Sequence, residues 1–424
     1  MNVLTKEYNL TQQTPLIHFQ SGETGATLRA SEVKPKFDRF LLKRLGDGDY
    51  EKGIDTAREN GWLIGEHPAL KYKMRFKAIG NVSKSNPIYE TKDKNGKLKT
   101  FCYGCYFLTE KNDTTQSSFY EKVKLQIICF DKELDEIIKG SIDKFFAINN
   151  FGLRQNKGFG SFIIRDKENE SCNYANTSGY YLNINSTDNK DILNGIKEFY
   201  QELKNGINYN GEYKPSFLMK EFFKERLNDK KAMKIEILNT GKFELDSKKE
   251  NKKYNNQFVT DKNALKKDRE TNYEYIRGML GFANFYSFRK VKLKENLNVM
   301  FDLTFNVNGG EIERFKSPIT FKPIKLVKAT KVFIIFDDDN LNRINGKEIY
   351  LKPNKINEKY LKQCTRNLSY EQCQKYIKVI NSEIDNIEPI KLNLKIPVDF
   401  LKSLMKAAKE SKKFKNLFCG GEPQ

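Results

Sequence analysis

The order of hydrophobic patterns in the first 165 residues limits the fold more than any other feature of this sequence. A strand pattern at 10–20 precedes a helix pattern at 31–45, and a second helix pattern covers 134–146. Further strand patterns, rich in aromatic and β-branched residues, lie at 71–82, 96–109, 122–130 and 162–164. This order of strand, helix, strands, helix and strand predicts a ferredoxin-like unit, in which two helices cover one face of an antiparallel sheet.

The first helix pattern has two distinct faces. Ser31 is a good N-cap residue, Glu32 places a carboxylate in the first turn, and Gly46 lies just past the end. The apolar face carries five residues at helical spacing: Val33, Phe37, Phe40, Leu41 and Leu45. The other face carries five cations: Lys34, Lys36, Arg39, Lys43 and Arg44. The pattern predicts an amphipathic helix with one basic side.

The second half of the sequence predicts another domain of mixed α and β structure. Its predicted elements are strands at 296–307, 317–327 and 329–336, a helix at 214–227, and an amphipathic helix at 398–408 that Gly420 closes. Residues 171–213 are rich in Asn, Gly and Tyr, which is typical of a connector. Residues 248–269 have few apolar side chains among many Lys, Asn and Asp, which is typical of a mobile insertion or a long loop.

Length and charge limit the function. The 424 residues exceed what one compact core holds, so two domains are expected. Lys and Arg number 75 against 55 Asp and Glu, which gives a formal net charge of +20. A chain this basic is expected to bind a polyanion.

The sequence also gives an expectation about the cellular compartment of the protein. Its longest apolar stretches, such as 332–336, are far shorter than the ~20 residues of a membrane helix. Lys6 and Glu7 stand where a secretory peptide would need an apolar run. The seven cysteines are odd in number and scattered, which predicts reduced thiols rather than a disulfide scaffold. A cytoplasmic location is therefore expected.

The most informative local motif is the glycine-rich segment Gly152–Ser161, between the second helix pattern and a strand pattern. Gly152, Gly158 and Gly160 permit positive φ angles, while Arg154 and Lys157 offer cations to phosphates. The segment is neither a Walker loop, because no Gly-Lys-Ser/Thr ends it, nor a Rossmann turn, because it leaves a helix. Two interpretations are open: the loop cradles an RNA backbone, or its glycines only relieve crowding in a tight connection.

A second motif, Arg277–Gly281, precedes several aromatic residues and the cations Arg289 and Lys290. Aromatic rings stack on unpaired bases while cations hold phosphates, although most such rings lie in protein cores. Farther along, Arg314 either reaches RNA or pairs with a nearby glutamate. The pattern leaves both alternatives open.

Catalytic and metal-binding patterns are weak. The only histidines are His18 and His67, and His18 lies inside a strand pattern where core histidines are common. The pair Cys102 and Cys105 is half of a zinc knuckle and has no second half. Asp337–Asp339 follows an apolar strand and offers carboxylates for Mg²⁺, but acidic turns after strands are common. No catalytic residue, metal or cofactor is expected.

An ordered series of short motifs gives the chain a recognisable resemblance. The motifs are Thr14–Leu16, Leu28–Lys34, Gly152–Ser161, Arg277–Gly281 and Arg314–Pro318. Together they resemble the RAMP superfamily of CRISPR effector subunits, and the chain is most similar to the RAMP subunit that caps one end of type III-B (Cmr) complexes. The sequence departs from the family pattern at Pro35, where the family has a glycine.

The resemblance implies an α+β fold of two tandem ferredoxin-like (RRM-like) domains with insertions, here assigned to residues 1–180 and 181–424. It also implies an RNA-binding subunit whose partners are CRISPR RNA or target RNA and other effector subunits. The candidate RNA-binding residues are Arg29, Lys34, Lys36, Arg39, Arg154, Lys157, Gly158, Gly160, Arg277, Arg289 and Arg314.

Three functions fit the sequence. The leading hypothesis is a non-catalytic RNA-binding subunit of a type III CRISPR effector complex, with a role in antiviral defence. The alternative is a RAMP-family endoribonuclease that processes CRISPR RNA or cleaves target RNA. Processing nucleases of the superfamily carry their glycine-rich loop near the C-terminus, whereas here it lies at 152–160. A basic structural protein unrelated to CRISPR is the third possibility.

Overall fold

The structure is a computed structural model, and its described residues cover most of the chain. They are 4–17, 27–85, 88–92, 98–102, 104, 117–204, 207–209, 212–214, 216–218, 273–274, 279–283, 285–292, 298–307, 310–311, 314–345, 348–353, 369–385, 390–393, 399–411 and 418–419. Most of the predicted helix at 214–227 lies outside these residues. So do the predicted insertion at 248–269, His18, Cys105, Arg277 and Gly420.

The described helices are numbered in chain order. They are α1 (Ala30–Leu45), α2 (Tyr50–Glu59), α3 (Lys132–Lys139), α4 (Ile142–Ile148), α5 (Glu168–Ala175), α6 (Asn189–Lys204), α7 (Asp338–Ile344), α8 (Tyr370–Asp385) and α9 (Phe400–Glu410). None of these helices is long and apolar enough to span a bilayer.

The described strands are numbered in the same way. They are β1 (Leu4–Gln12), β2 (Leu16–Ile17), β3 (Leu63–Ile64), β4 (His67–Leu70), β5 (Tyr72–Ser85), β6 (Ile88–Lys92), β7 (Leu98–Cys102), β8 (Ser117–Cys129), β9 (Phe162–Ile164), β10 (Tyr181–Ile184), β11 (Ile207–Tyr209), β12 (Glu212–Lys214), β13 (Tyr273–Glu274), β14 (Phe282–Ala283), β15 (Phe285–Lys292), β16 (Asn298–Val307), β17 (Gly310–Glu311), β18 (Arg314–Phe315), β19 (Ile319–Lys325), β20 (Thr330–Phe336), β21 (Glu348–Pro353), β22 (Ile390–Asn393) and β23 (Phe418–Cys419).

The first sheet has the ferredoxin-like strand order that the sequence predicts. Its strands lie in the order β5, β8, β1, β9, and each neighbouring pair is antiparallel. Along the chain, α1 separates β1 from β5, while α3 and α4 separate β8 from β9. Short β2 extends the sheet by pairing with the start of β8. The prediction of a ferredoxin-like unit is confirmed.

A second sheet repeats the same order. Its strands lie in the order β19, β20, β10, β23, again antiparallel throughout. Helix α6 follows β10 along the chain and α9 precedes β23, so the order of elements is again that of a ferredoxin-like unit. Two insertions interrupt it, at 205–318 and 337–399. The fold is therefore α+β with two tandem ferredoxin-like units, as expected.

The chain divides into two compact units. The first comprises Met1–Tyr200, Ile319–Phe336 and Lys409–Gln424, and it contains both ferredoxin-like sheets. The second comprises Gln201–Pro318 and Asp337–Ala408. It contains a six-stranded sheet in the order β13, β22, β21, β16, β15, with β17 paired to β16. The domain boundary predicted at residue 180 coincides with the start of the second sheet and lies inside the first compact unit.

Three sequence predictions about local structure were wrong. Helix α1 begins one residue before Ser31, and its N-cap is Arg29, whose side chain makes no capping hydrogen bond. The strand pattern at 10–20 contains the end of a strand that starts at Leu4, followed by a short second strand. The predicted helix at 134–146 is two helices, because it breaks at Gly140.

The segment predicted as a connector, 171–213, contains regular structure. Helix α5 ends in it, β10 enters the second sheet, and α6 runs for 16 residues. The apolar side of α6 is buried through residues at helical spacing: Ile192, Leu193, Ile196, Phe199, Tyr200 and Leu203. This periodicity is present in the sequence, and the high content of Asn and Gly around it obscured it.

The first core consists of aromatic and aliphatic side chains between α1, α3, α4 and the first sheet. Phe37 of α1 packs on Phe145 of α4 with ring centroids 4.7 Å apart, and Phe146 lies 5.4 Å from Phe145. From the sheet, Val123, Leu125 and Ile127 of β8 are fully buried at alternate positions. One face of this sheet is therefore covered by helices.

A fully buried lysine joins β19 of the second sheet to the first ferredoxin-like unit. The Nζ of Lys322 donates to the carbonyl oxygens of Asn149, at 2.8 Å, and Phe162, at 2.9 Å. Burial lowers the pKa of Lys322 well below its ordinary value of 10.5. A neutral amine has two hydrogens to donate, so the two carbonyls match the uncharged form.

We expect Lys322 to make stability depend on pH. Between the lowered folded pKa and the ordinary value, the unfolded chain binds one more proton than the folded chain, so the free energy of unfolding rises with pH. Lys322→Met removes this group. Urea unfolding from about pH 7 to about pH 10 should therefore give a steeper rise for the parent than for the variant, by at most ~1.4 kcal/mol per pH unit. Parallel curves for the two proteins would contradict the prediction.

Candidate nucleic-acid interface

A pocket lies where the start of α1 meets the glycine-rich loop, defined here as residues 152–160. Its volume is about 370 Å³. The lining residues are Leu16, Thr27, Arg29, Ser31, Glu32, Gly152 and Leu153. The pocket therefore brings together two segments, Leu28–Lys34 and Gly152–Ser161, that are 118 residues or more apart in the sequence.

The backbone of the glycine-rich loop is fixed by hydrogen bonds to the segment Thr14–Ile17. The N–H of Leu153 donates to the carbonyl of Ile17 at 2.7 Å, and the N–H of Gly160 donates to the carbonyl of Pro15 at 2.8 Å. The Thr14 hydroxyl donates to the carbonyl of Gly158 at 2.6 Å. The loop is thus held along its length, and its shape is set before any ligand arrives.

The glycines are required by this close packing. Gly152, Gly158 and Gly160 have φ values of +77°, +87° and +66°. A Cβ at Gly160 would lie 1.9 Å from the carbonyl oxygen of Phe151, and a Cβ at Gly152 would lie 2.5 Å from that of Ile17. The steric interpretation of the glycines is therefore correct for their backbone conformation.

Two side chains brace the loop from α1 and from the end of α4. Asn150 donates through Nδ2 to the carbonyls of Gln155, at 2.7 Å, and Phe321, at 2.8 Å. Lys36 donates through Nζ to Oε1 of Gln155 at 2.7 Å. The loop is therefore attached to α1 as well as to β19.

The start of α1 supplies polar groups to the pocket. The N–H groups of Glu32 and Val33 both donate to the carbonyl of Arg29. The N–H groups that precede them in the helix, those of Ala30 and Ser31, are at its N-terminal end, where a helix has no carbonyl of its own to accept them. Glu32 accepts through Oε1 from the N–H of Gly152 at 2.7 Å, and its carboxylate lies 3.3 Å from Nζ of Lys36. Lys36 thus offsets the charge of Glu32 at this end of the helix.

Thr27 gives an independent indication that the pocket binds a ligand. Its side chain is only 8% exposed, and its Oγ1 has no hydrogen-bond partner among the described residues. A buried hydroxyl without a partner is unfavourable by ~1–3 kcal/mol. Together with the guanidinium of Arg29 and the positive end of the α1 dipole, this hydroxyl suits an anionic ligand such as a phosphate group.

The structure places the predicted RNA-binding residues of the first half in two groups. Arg29 lines the pocket, while Arg154, Lys157, Gly158 and Gly160 belong to the loop beside it. Arg154 is half-buried and has a positive φ of +59°, and the Nζ of Lys157 lies 3.1 Å from the ring centroid of Tyr200. Gly158 and Gly160 are buried, so they shape the loop rather than present a surface.

The cations of α1 are occupied within the protein. Lys34 donates to Asp38 at 2.7 Å and to the carbonyl of Leu70 at 3.0 Å, and its Nζ lies over the ring of Tyr72. Burial raises the pKa of Asp38, although Lys34 acts in the opposite direction. Arg39 lies over the ring of Tyr50 at 4.8 Å. The RNA contacts predicted for Lys34, Lys36 and Arg39 stay predictions.

The second-half candidates are only partly described. Arg289 belongs to β15 and Arg314 to β18, where Arg314 pairs with Ala283; the side chains of both lie outside the described part. Gly281 has φ +94°, and a Cβ there would lie 2.8 Å from the N of Ser317. Gly281 thus lies close to the backbone at Ser317.

Some residues of the weak catalytic and metal-binding patterns have structural roles, and for the others the prediction stays untested. Asp337 caps α7 by accepting the N–H of Asn340 at 3.1 Å, and Lys316 lies 3.6 Å from its carboxylate. His67 is exposed in β4. Cys129 and Cys172 are free and buried. Within the described ranges, no three His, Cys, Asp or Glu side chains are grouped as metal ligands.

Sequence reasoning missed Thr27 and Asn150 as parts of this site. Both residue types are common, and neither residue belongs to a charged or glycine-rich motif. Only the packing shows that Thr27 is buried without a partner and that Asn150 joins the loop to β19. No sequence pattern around these residues predicts these contacts.

The fold and the site define a RAMP-type protein, with tandem ferredoxin-like units and a glycine-rich loop against the first helix. Two family models match nearly the whole chain: the Cmr1 N-terminal domain over residues 4–207 and the Cmr1 C-terminal domain over residues 213–410. The chain therefore belongs to the Cmr1 family, which confirms the resemblance to RAMP subunits of type III-B CRISPR complexes. No curated protein matches the sequence.

Two solved structures are similar to the chain at low identity. The crystal structure of Cmr1 from Pyrococcus furiosus (apo form) is 9% identical, with a TM-score of 0.38, over 93% of this chain and 99% of that chain. The cryo-EM structure of the type III-B Cmr-beta bound to cognate target RNA is 11% identical, with a TM-score of 0.26. That match covers 39% of this chain and 59% of the other.

The packing of Gly160 gives a prediction about stability. Gly160→Ala places a Cβ against the carbonyl of Phe151 at a positive φ, whereas Gly61, with a nearly identical φ of +67°, has nothing within 4 Å of an added Cβ. We expect Gly61→Ala to lower the free energy of unfolding by ~1 kcal/mol. Gly160→Ala should lower it by more than ~3 kcal/mol, measured by urea unfolding. Equal losses would show that the close packing contributes nothing.

Proposed function

We propose that this Cmr1-family protein is a non-catalytic RNA-binding subunit of a type III CRISPR effector complex. In this role it holds guide or target RNA, contacts other effector subunits and contributes to antiviral defence. The observation that supports the proposal best is the pocket between α1 and the glycine-rich loop. Its buried unpartnered hydroxyl, guanidinium and helix N-terminus are groups that bind phosphate.

The charge of the whole chain supports the same conclusion. A net charge of +20 attracts a polyanion over long distances, while the preformed pocket selects one phosphate or nucleotide of it. Leu16 and Leu153 give the pocket apolar walls, so part of a sugar or base can lie beside the phosphate. The site therefore fits RNA better than a free inorganic anion.

RNA affinity should depend steeply on salt. For about five phosphate contacts, the slope of log affinity against log salt on single-stranded RNA is near −3.5. The double variant Arg29→Gln/Arg154→Gln should bind more weakly and have a slope shallower by about 1.4. Fluorescence anisotropy with labelled single-stranded RNA at several salt concentrations measures both quantities.

The matched control is Lys132→Gln/Lys139→Gln, which removes two exposed cations from α3 without touching the pocket. It should bind RNA nearly as the parent does. If the parent shows a flat salt response, RNA binding through phosphates is wrong. If both double variants weaken binding equally, the pocket has no special role.

The protein should not cut RNA, with or without Mg²⁺. Cleavage needs an acid–base pair or a metal centre. Among the described residues no group of three metal ligands is present, and the one carboxylate lining the pocket, Glu32, accepts the N–H of Gly152 and pairs with Lys36. End-labelled RNA incubated with the purified protein tests this on a gel. Cleavage that His18→Ala abolishes would establish the endoribonuclease alternative, and Mg²⁺-dependent cleavage that Asp338→Ala abolishes would establish a metal-dependent nuclease.

A further inference from the structure

One face of the first sheet is open and carries a cluster of cations. Helices cover the other face, where Val123, Leu125 and Ile127 are buried. On the open face, side chains from two of the four main strands, β5 and β8, and from the residue after β9 form what we call the basic sheet face: Lys73, Arg75, Lys77, Lys122, Lys124 and Arg165. None of these residues was a candidate from the sequence.

The strand register places these cations side by side. Lys77 of β5 lies directly opposite Lys124 of β8, and Lys124 lies opposite Asn9 of β1. The N–H of Arg165 donates to the carbonyl of Asn9 at 2.8 Å, which continues the same row across the sheet. Like charges directly opposite each other destabilise a sheet. A row of this kind therefore indicates that a polyanion neutralises it.

Acidic residues offset little of this charge. The carboxylate of Glu7 lies 2.6 Å from Nζ of Lys124, and a carboxylate oxygen of Asp166 lies 3.9 Å from Nε of Arg165. Lys73, Arg75 and Lys77 are exposed, and no described ion pair includes them. The six cations of the basic sheet face thus keep a net charge of about +4 when Glu7 and Asp166 are both counted.

The side chains on the two central strands show which form of RNA the face suits. Sheets that bind unpaired bases present aromatic rings for stacking on their central strands. Here those positions hold Glu7 and Asn9 on β1, and Lys124 and Gln126 on β8. These central rows therefore hold no ring, and exposed Phe130 lies beyond the end of β8. Rows without rings contact phosphates and sugars, and a duplex presents these while keeping its bases stacked and paired.

We propose that the basic sheet face binds the backbone of an RNA duplex, at a site separate from the pocket. This inference rests on the proposed RNA-binding function but not on the residues of the pocket. An acidic protein surface is the other conceivable partner. Lysine is depleted at the centres of protein–protein interfaces, whereas nucleic-acid interfaces are strongly positive, so the face favours RNA.

The test uses the full chain and two triple variants of equal charge. Arg75→Gln/Lys77→Gln/Lys122→Gln removes three cations from the basic sheet face. Lys52→Gln/Lys132→Gln/Lys139→Gln removes three exposed cations from α2 and α3. Each protein is titrated against a labelled RNA duplex of about 20 base pairs and against a single strand of the same length, at several salt concentrations.

We expect the face variant to lose duplex affinity by roughly tenfold or more, with a salt slope shallower by about 2 to 3, while its single-strand affinity changes much less. The control variant should stay close to the parent on both probes. Thermal unfolding should give similar midpoints for all three proteins, because the changes are at the surface.

The outcomes separate this inference from the proposed function. If the parent binds the single strand and the face variant binds the duplex as tightly as the parent, the basic sheet face does not bind RNA. If the face variant also fails to join the assembled effector complex, the face is a docking surface for another subunit. If the parent binds neither probe, the proposed function and the inference are both wrong.

Discussion

Backbone hydrogen bonding of the glycine-rich loop is the constraint on which the first unit depends. The loop is attached to Thr14–Ile17 on one side and, through Asn150, to β19 on the other. Only glycine fits at residue 160, because a Cβ would lie 1.9 Å from a carbonyl oxygen. The loop therefore fixes one wall of the pocket and also joins the two ferredoxin-like sheets.

Strand β19 has the same connecting role from the other sheet. Its buried Lys322 donates to two carbonyls of the first ferredoxin-like unit, and its Pro323 carbonyl accepts from the Ser161 hydroxyl at 2.7 Å. Burying an amine is unfavourable unless its hydrogens have acceptors, and here they have two. The two sheets consequently form one compact unit. This holds although β19 follows β10, its companion in the second sheet, only after more than 130 residues of sequence.

The excess positive charge is distributed over surfaces of different chemistry. The pocket combines one guanidinium with a helix N-terminus and apolar walls, which suits a single phosphate and its nucleotide. The basic sheet face has several cations in its central rows and no ring among them, which is the chemistry proposed for a repeating backbone. The two proposed modes of recognition would therefore draw on different parts of the net charge of +20.

The sequence by itself determined the order of elements in the first ferredoxin-like unit, because β1, β5, β8 and α1 are long and strongly periodic, and it indicated the glycine-rich loop as a special site. It did not determine α6, whose periodicity lies among Asn and Gly, nor the contacts of half-buried Lys34 and Lys36 with Asp38 and Gln155. Only the tertiary structure decided which cations share a surface. The alternation along β5 and β8 predicts that Lys77 and Lys124 each face outwards, but only the pairing of these two strands decides that the two lysines lie opposite each other.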